Sequence, residues 1–289
     1  MVDGFLIIDK PAGITSHDVV NRVRRILNTR KAGHTGTLDP FATGVLPIAV
    51  GEGTKAIPFL DEGNKEYEAV ILLGTVTDTL DYTGAVLKEA DWSTVTASSL
   101  QESMATLTGT ISQIPPMYSA IKQGGQPLYK LARKGVEVER QPRQVTIQTF
   151  ELLACDFPEL TVQVRCSRGT YIRTLADDLG RLLGCGACLT SLRRTMSGPF
   201  RIDDALSLEQ LEEYVEQGVL QGHFTTSLAA LTHLPEIVLT HEQMVKVTYG
   251  ITPELPIDLE ICRISYERRL LAVAQRRQDG RMMLQRVFH

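Results

Sequence analysis

The sequence lacks several features that would place it in familiar functional classes. Its five cysteines have no spacing typical of a disulfide framework, which fits a reducing compartment, and we expect a cytoplasmic protein. No apolar run approaches the roughly 20 residues of a membrane span. The short run near the N-terminus ends at Asp9 and Pro11, which predicts a buried strand rather than a signal peptide. A P-loop, a GxGxxG turn and a GxSxG elbow are missing, so the corresponding nucleotide-binding and hydrolase chemistries have no support.

A large excess of charge is also lacking, because the formal net charge is −4, but the charges are segregated along the chain. Residues 113–145 and 165–201 are basic, whereas 203–216 contains acids and no base. Solvated surface faces explain such runs as readily as a ligand does. A basic face can nevertheless meet phosphates while an acidic helix balances the total. Since each basic segment lies beside a glycine-rich turn, the pattern favours RNA as a partner.

Side chains that bind metals are not grouped in the sequence. Cys185 and Cys188 form a single CxxC without a second ligand pair, so small buried residues at the end of a helix explain them better than zinc or redox chemistry. The histidines show no ligand spacing either, and we expect no metal.

The hydrophobic pattern predicts an α+β protein. Helices and strands follow from apolar residues with periods of 3.6 and 2, respectively, and Ser16 is predicted to cap the first helix. The predicted strands are Gly4–Ile8, Glu66–Gly74 and Leu160–Cys166, and the predicted helices follow the cap at Ser16 or span Thr170–Gly184 and Ser207–Gln217. A glycine-rich stretch from Gly33 to Gly53 encloses the apolar run Val45–Val50.

Two regions differ in amino-acid composition from the rest of the chain. Residues 113–144 are rich in proline, glycine and basic side chains, which predicts an exposed excursion from the sheet that could close over a ligand. After about residue 230 the chain consists of short strand-like pieces divided by proline and glycine. We interpret this part as a small β-rich appendage.

The segment GHTGTLDPFATG is the most unusual in the chain. Its glycines allow close approach of a ligand to the backbone, and Pro40 biases Asp39 away from helix, so that a loop can hold its carboxylate. From this local chemistry alone, a tight turn in which Asp39 accepts bonds from nearby backbone N–H groups is the commoner outcome. Catalysis by Asp39 is the alternative.

Arg173 is the second unusual residue, because it lies in the first turn of a predicted helix, where the helix dipole disfavours a cation. Such an arginine needs an anion, either a phosphate or a buried carboxylate, although Asp177 four residues later offers an ordinary partner. Tyr67 and Tyr171 are equally consistent with half-buried structural tyrosines and with pocket residues.

At these residues the sequence resembles the bacterial TruB family of tRNA pseudouridine synthases. Six blocks in the family's order carry the resemblance over residues 4–202. They are GFLIIDKPAGITS, KAGHTGTLDPFATGVLPIAVGEGTK, KEYEAVILLGTVTDTLDYTG, QIPPMYSAIKQGGQPLYKLAR, VRCSRGTYIRTLADDLG and LTSLRRTMSGPF. Coincidence does not produce six ordered matches of this length.

The resemblance implies a pseudouridine synthase fold with a mixed, mostly antiparallel central sheet. It implies a catalytic domain over 1–230 with an RNA-gripping insertion at about 113–144. The last part, 235–289, corresponds to a small PUA-like RNA-binding module.

The resemblance also implies an isomerase that converts uridine 55 in the T-loop of tRNA to pseudouridine. The family's catalytic aspartate falls on Asp39 and the arginine paired with it on Arg173. Its substrate contacts fall on His34, Tyr67, Tyr171 and Leu192. Lys10, in the DKP turn, matches a motif position, for which we infer a structural or phosphate-binding role.

The chemistry implied is isomerisation without net oxidation or hydrolysis, so no cofactor is needed, and we expect a monomer that binds the T-arm. A carboxylate can stabilise or trap the sugar when its glycosidic bond breaks, but attack at C1′, attack at C6 and elimination through a glycal all stay open. Two rival functions also remain. A base-excising glycosylase would release free uracil, and an RNA-binding protein without activity would not need the carboxylate.

Overall fold

A computed structural model describes residues 3–61, 63–256 and 258–289 of the chain. Its strands β1 to β17 are, in chain order, Gly4–Lys10, Ala32–His34, Thr43–Val50, Asn64–Leu73, Thr75–Thr77, Val86–Glu89, Gly109–Gln113, Lys122–Gln123, Gln126–Pro127, Arg143–Asp156, Glu159–Ser167, Ala187–Ser197, Phe200–Arg201, Glu236–Val238, Ile261–Tyr266, Arg269–Arg276 and Met282–Val287. Its helices α1 to α7 are Ser16–Ile26, Ala97–Thr106, Leu128–Ala132, Ile172–Leu182, Leu208–Glu216, Ser227–Ala230 and His241–Thr248.

The chain divides into two compact units. The first comprises Met1–Pro40, Gly44–Glu62 and Gly198–His289, and the second comprises Phe41–Thr43 and Gly63–Ser197. In the first unit β1 pairs antiparallel with β3 along its whole length, and β2 adds to β3. One face of β1 packs against α1 and α5 through Leu6 and Ile8, while Phe5 and Ile7 on the other face belong to a separate cluster.

The N-cap of helix α1 lies one residue earlier than predicted. Thr15, not Ser16, is the N-cap, because its hydroxyl accepts from the backbone N–H of Asp18 while the Asp18 carboxylate accepts from the backbone N–H of Thr15. Both Thr and Ser are good caps, so composition alone did not separate them. The spacing of Thr15 and Asp18 is the sequence signal that does. Val19, Val20 and Val23 are buried as predicted.

The second unit is built on an antiparallel sheet in the order β12-β4-β11-β10-β7. Buried and more exposed residues alternate strictly along β4 and β11. Leu160, Val162 and Val164 of β11 are completely buried, and alternate residues of β4 are buried as well. Helix α4 packs on β12 and is shorter than predicted, spanning Ile172–Leu182. The predicted α+β class with a mostly antiparallel sheet is confirmed.

The segment between β7 and β10 is the predicted excursion from this sheet. It contains the small hairpin of β8 and β9 and the short helix α3, whose Leu128 is buried. Most of its basic side chains are exposed to solvent, namely Lys122, Lys130, Arg133 and Lys134, with Arg143 following at the start of β10.

The C-terminal strands form a second sheet in the order β14-β15-β16-β17, as the predicted β-rich texture indicated. One face of this sheet has its own cluster, which includes Cys262 and Ile264. The other face contributes Leu270, Val273 and Phe288 to the cluster that contains Phe5 and Ile7. The last strands of the chain therefore complete the core of the first unit. No helix in the described ranges combines the length and apolar character needed to span a membrane.

We expect Asp178→Asn to change how stability depends on pH. Burial and the neighbouring Asp177 carboxylate raise the pKa of Asp178 from 3.8 to about 6. The unfolded chain therefore releases this proton at lower pH than the folded chain, and the folded state loses stability as pH rises from about 4 through about 6. The asparagine variant should gain stability over the wild type at pH 7.5 and little at pH 4.5. Chemical denaturation at both pH values measures this.

Asp156→Asn, at an exposed position of β10, is the matched control and should show no such difference. An equal effect of Asp178→Asn at both pH values would contradict the prediction.

Candidate active site

The predicted catalytic residue, Asp39, lies half-buried in an irregular loop between β2 and β3. Ser16 holds Leu38, the residue before Asp39, through two hydrogen bonds. Its hydroxyl accepts from the Leu38 backbone N–H at 2.9 Å and donates to the Leu38 carbonyl at 3.1 Å. Because the serine is 2% exposed and bonds both backbone groups, Leu38 has little freedom to rotate.

The residue after Asp39 is held as firmly. The Pro40 carbonyl accepts from the Gly13 backbone N–H at 2.8 Å and from the Lys10 ammonium at 3.1 Å. Lys10 is completely buried and also donates to the carbonyls of Pro11 and Ile14. Of the two roles inferred for Lys10, this geometry supports the structural one. The DKPAGITS segment thus fixes the backbone on both sides of the predicted catalytic carboxylate.

His34 is the last residue of β2, where it is paired with Ile48 of β3. The next residue, Thr35, is 9% exposed, and its backbone N–H donates to the Pro47 carbonyl at 3.1 Å. His34 therefore lies on ordered backbone at the start of the loop that carries Asp39.

Tyr67 and Leu192 lie on one face of the sheet in the second unit. The register pairs Tyr67 of β4 with Arg194 of β12, and Ala69 with Leu192, so these side chains leave the sheet on the same side. Tyr67 is 8% exposed and Leu192 is 6% exposed. Arg194 is 2% exposed, and a buried cation beside the tyrosine is a candidate that sequence patterning missed. Alternation along β12 places Arg194 on the same face as Leu192, but no feature of the local sequence shows that this face is buried.

Arg173 occupies the first turn of α4 and is 3% exposed. Its guanidinium donates to the carbonyls of Thr79 and Tyr118, both at 2.8 Å, and lies 3.5 Å from the Asp81 carboxylate. Asp81 itself is 3% exposed and accepts from the Thr83 backbone N–H. A buried carboxylate therefore does face this arginine, and Asp81 is the second residue that the sequence did not predict.

The ordinary partner suggested for Arg173 is wrong. Asp177 pairs instead with Arg181, at 2.7 Å, because Arg181 follows it at the helical i+4 spacing on the exposed side. Tyr171 immediately precedes α4 as its N-cap residue, and its backbone bonds the side chain of Gln113.

The structure thus gathers the predicted residues into two sets, each within one unit. His34 and Asp39 belong to the first unit; Tyr67, Tyr171, Arg173 and Leu192 belong to the second. The predicted pairing of Asp39 with Arg173 joins residues of different units and stays a prediction.

The cysteines of the CxxC motif are buried and free, as the sequence indicated. Burial, with a smaller effect of the Asp81 carboxylate, raises the pKa of the Cys188 thiol to about 11, so it is protonated at neutral pH. Within 3–61, 63–256 and 258–289 no group of three or more His, Cys, Asp or Glu side chains could hold a metal ion.

Comparison with known proteins decides the family. The model of the TruB family pseudouridylate synthase N-terminal domain matches residues 24–172, and that of the tRNA pseudouridylate synthase B C-terminal domain matches 173–246. The chain belongs to the TruB family of pseudouridylate synthases. It is accordingly an enzyme, and its reaction class is isomerisation.

Similar proteins agree with this assignment. Proteins called tRNA pseudouridine synthase B from Geotalea uraniireducens and Pseudomonas aeruginosa are 51% and 41% identical, over 100% and 99% of this chain and 98% and 96% of their own length. Among solved structures, a Cbf5-Nop10-Gar1 complex superposes with a TM-score of 0.76 at 28% identity, covering 99% of this chain and 85% of that one. An H/ACA RNP bound to a substrate RNA containing 2'-deoxyuridine gives a TM-score of 0.75 at 25% identity, covering 99% and 85%.

Proposed function

We propose that this TruB-family enzyme isomerises uridine 55 in the T-loop of tRNA, with Asp39 as its catalytic carboxylate. The observation that carries the proposal is the loop itself. Its backbone is fixed on both sides of Asp39 by Ser16, Gly13 and Lys10, which is how a reactive side chain is held in a constant position. The choice of tRNA as the substrate is supported by the relatives, which are named tRNA pseudouridine synthase B.

The reaction breaks the N1–C1′ bond, turns the base and forms a C5–C1′ bond, while a proton leaves C5 and N1 gains one. Positive charge develops on the sugar when the first bond breaks, and an ionised carboxylate stabilises it or forms a bond with the substrate. Attack at C1′, attack at C6 and elimination through a glycal each use the same ionised Asp39. A cation beside a carboxylate lowers its pKa, and we assign this task to Arg173.

The target base is stacked in folded RNA and must be flipped out before Asp39 can act. We propose that Tyr67 stacks on the flipped base and that Leu192 forms an apolar wall beside it, because the sheet register places both on one buried face. Tyr171 lines the same pocket, and His34 holds the displaced nucleotide. No cofactor enters this scheme, and the enzyme acts as a monomer in the cytoplasm.

We propose that the excursion between β7 and β10 grips the T-arm. Its exposed side chains Lys122, Lys130, Arg133 and Lys134 can neutralise backbone phosphates, which gives affinity without reading sequence. Closing over the flipped nucleotide would also exclude water, which otherwise competes for the detached base.

The test is incubation of the wild-type protein with an unmodified T-arm stem-loop, followed by mapping of pseudouridine through its altered chemical reactivity. We expect product at the T-loop uridine and no free uracil. Free uracil would identify a glycosylase, and binding without product would identify an RNA-binding protein. Product at another position would contradict the assignment of uridine 55.

We further propose that residues 235–289 are an RNA-contacting module and that 1–230 form the catalytic domain. Deleting 235–289 is expected to weaken tRNA binding. It should also lower the melting temperature, because Leu270, Val273 and Phe288 are removed from the cluster that contains Phe5 and Ile7. The proposed boundary near residue 235 then separates two functions, and it does not separate two parts that fold independently.

Thermal denaturation and tRNA binding of the truncated chain measure the two effects separately. Unchanged tRNA affinity would contradict the RNA-contacting role, and unchanged stability would contradict the shared core.

A further inference from the structure

The side chain of Gln113 forms an unusual pair of hydrogen bonds at the end of β7. Its carbonyl oxygen accepts from the Tyr171 backbone N–H at 2.8 Å, and its amide nitrogen donates to the Tyr171 carbonyl at 3.1 Å. Gln113 is 2% exposed, and 58 residues separate it from Tyr171. Two bonds from one planar amide fix both the position and the rotation of the tyrosine backbone.

These two bonds hold the residue from which helix α4 starts. Tyr171 is the N-cap residue of α4, and no side-chain cap is formed there. Its carbonyl also accepts from the Leu175 backbone N–H at 3.0 Å, which closes the first turn of the helix. An amide buried to this degree is costly unless both its donor and its acceptor are satisfied, so the backbone of Tyr171 and the side chain of Gln113 depend on each other.

The same first turn is tied to the beginning of the excursion at a further point. Arg173 donates to the Tyr118 carbonyl at 2.8 Å, five residues after Gln113. Arg140, near the other end of the excursion, donates to the Pro115 carbonyl at 3.2 Å. Residues 113–118 and the first turn of α4 are therefore joined by hydrogen bonds at Tyr171 and at Arg173. We expect a displacement at the root of the excursion to shift both residues.

We propose that Gln113 is a positioning residue, which couples the root of the excursion to Tyr171 and Arg173 and so sets their geometry for catalysis. The proposal rests on the proposed function, since it assigns these two residues to the pocket. Gln113 is 2% exposed, so in this proposal it acts through Tyr171 and Arg173 and does not contact the substrate itself. Its loss should therefore lower kcat, whereas the basic side chains that bind the T-arm remain in place. A misplacement of about 1 Å can reduce turnover by roughly a hundredfold.

The first test is Gln113→Met, which keeps the length of the side chain and removes both hydrogen bonds. We expect kcat to fall by about ten- to hundredfold, with the Kd for the T-arm within about threefold of wild type. Single-turnover rates at saturating enzyme and a separate binding titration give the two numbers.

The second test is Gln113→Glu, which keeps the acceptor and replaces the donor by a carboxylate facing the Tyr171 carbonyl. Burial raises the pKa of such a carboxyl, and its protonated form restores a donor. The ratio of variant to wild-type kcat should therefore rise as pH falls from 8 to 6. Gln148→Glu is the matched control, because Gln148 is an exposed amide on β10 that bonds Asn64. Its ratio should stay near one at every pH.

The outcomes separate the two proposals. A wild-type protein that forms no pseudouridine contradicts the proposed function. An active wild type, together with Gln113→Met at wild-type kcat or Gln113→Glu at wild-type kcat throughout pH 6 to 8, overturns the role of Gln113. If the methionine variant fails to fold, the pH dependence of the glutamate variant, measured below its melting temperature, decides alone.

Discussion

Asp39→Asn is expected to abolish pseudouridine formation and to leave T-arm binding within about tenfold of wild type, a difference of about 1.4 kcal/mol. Asparagine has nearly the same shape but carries no charge, so it can neither trap the sugar or base nor stabilise developing positive charge. The loop should keep its geometry, because Ser16, Gly13 and Lys10 bond the backbone of Leu38 and Pro40, which the substitution leaves unchanged. Chemical mapping of pseudouridine and a binding titration measure the two properties.

Asp203→Asn is the matched control, since Asp203 is an exposed carboxylate of the same unit. It should retain wild-type turnover and binding. Appreciable turnover by Asp39→Asn would remove Asp39 from the mechanism. A loss of binding far beyond tenfold would show instead that the carboxylate acts mainly in folding or in RNA contact.

Arg173→Lys is expected to reduce turnover by roughly a hundredfold, in the range found when one catalytic hydrogen-bond donor is removed. The planar guanidinium donates to the carbonyls of Thr79 and Tyr118 while it faces Asp81. A compact ammonium cannot reproduce this fork. At least one buried carbonyl then loses its donor, which should also lower the free energy of unfolding by about 1–3 kcal/mol.

Single-turnover kinetics and thermal denaturation of Arg173→Lys measure these effects. Arg181→Lys, on the same helix, is the control, because Arg181 is an exposed partner of Asp177 and should tolerate the change. Reduced stability with near-normal turnover would mean that Arg173 serves the fold through Asp81 and does not act on the reacting carboxylate.

The elements of the fold were largely predictable because their causes are local. Alternation gave β4 and β11, and the 3.6-residue period gave α1 and α4, within a few residues at each end. The cap of α1 was assigned one residue too late, since two good capping residues stand side by side and only the reciprocal bonds of Thr15 and Asp18 separate them.

The site residues were predicted by resemblance rather than by local chemistry. Local chemistry favoured a turn role for Asp39 and left three partners open for Arg173: a phosphate, a buried carboxylate and Asp177. The resemblance in six ordered motifs resolved this ambiguity. The family is confirmed by family models that match residues 24–172 and 173–246. Asp81 and Arg194 were missed, because burial of a charged side chain depends on which elements cover it. Neither alternation nor spacing contains that information.

The sequence by itself determined the strands and helices, the family, and the residues to be tested. Only the tertiary structure decided which hydrogen bonds hold these residues. Ser16 bonds Leu38, Gln113 bonds Tyr171, and Arg173 bonds Thr79, which lies 94 residues away along the chain. The physical reason is the range of the interactions. Periodicity and capping act within one or two turns, whereas a buried donor must find its acceptor wherever the chain returns to it.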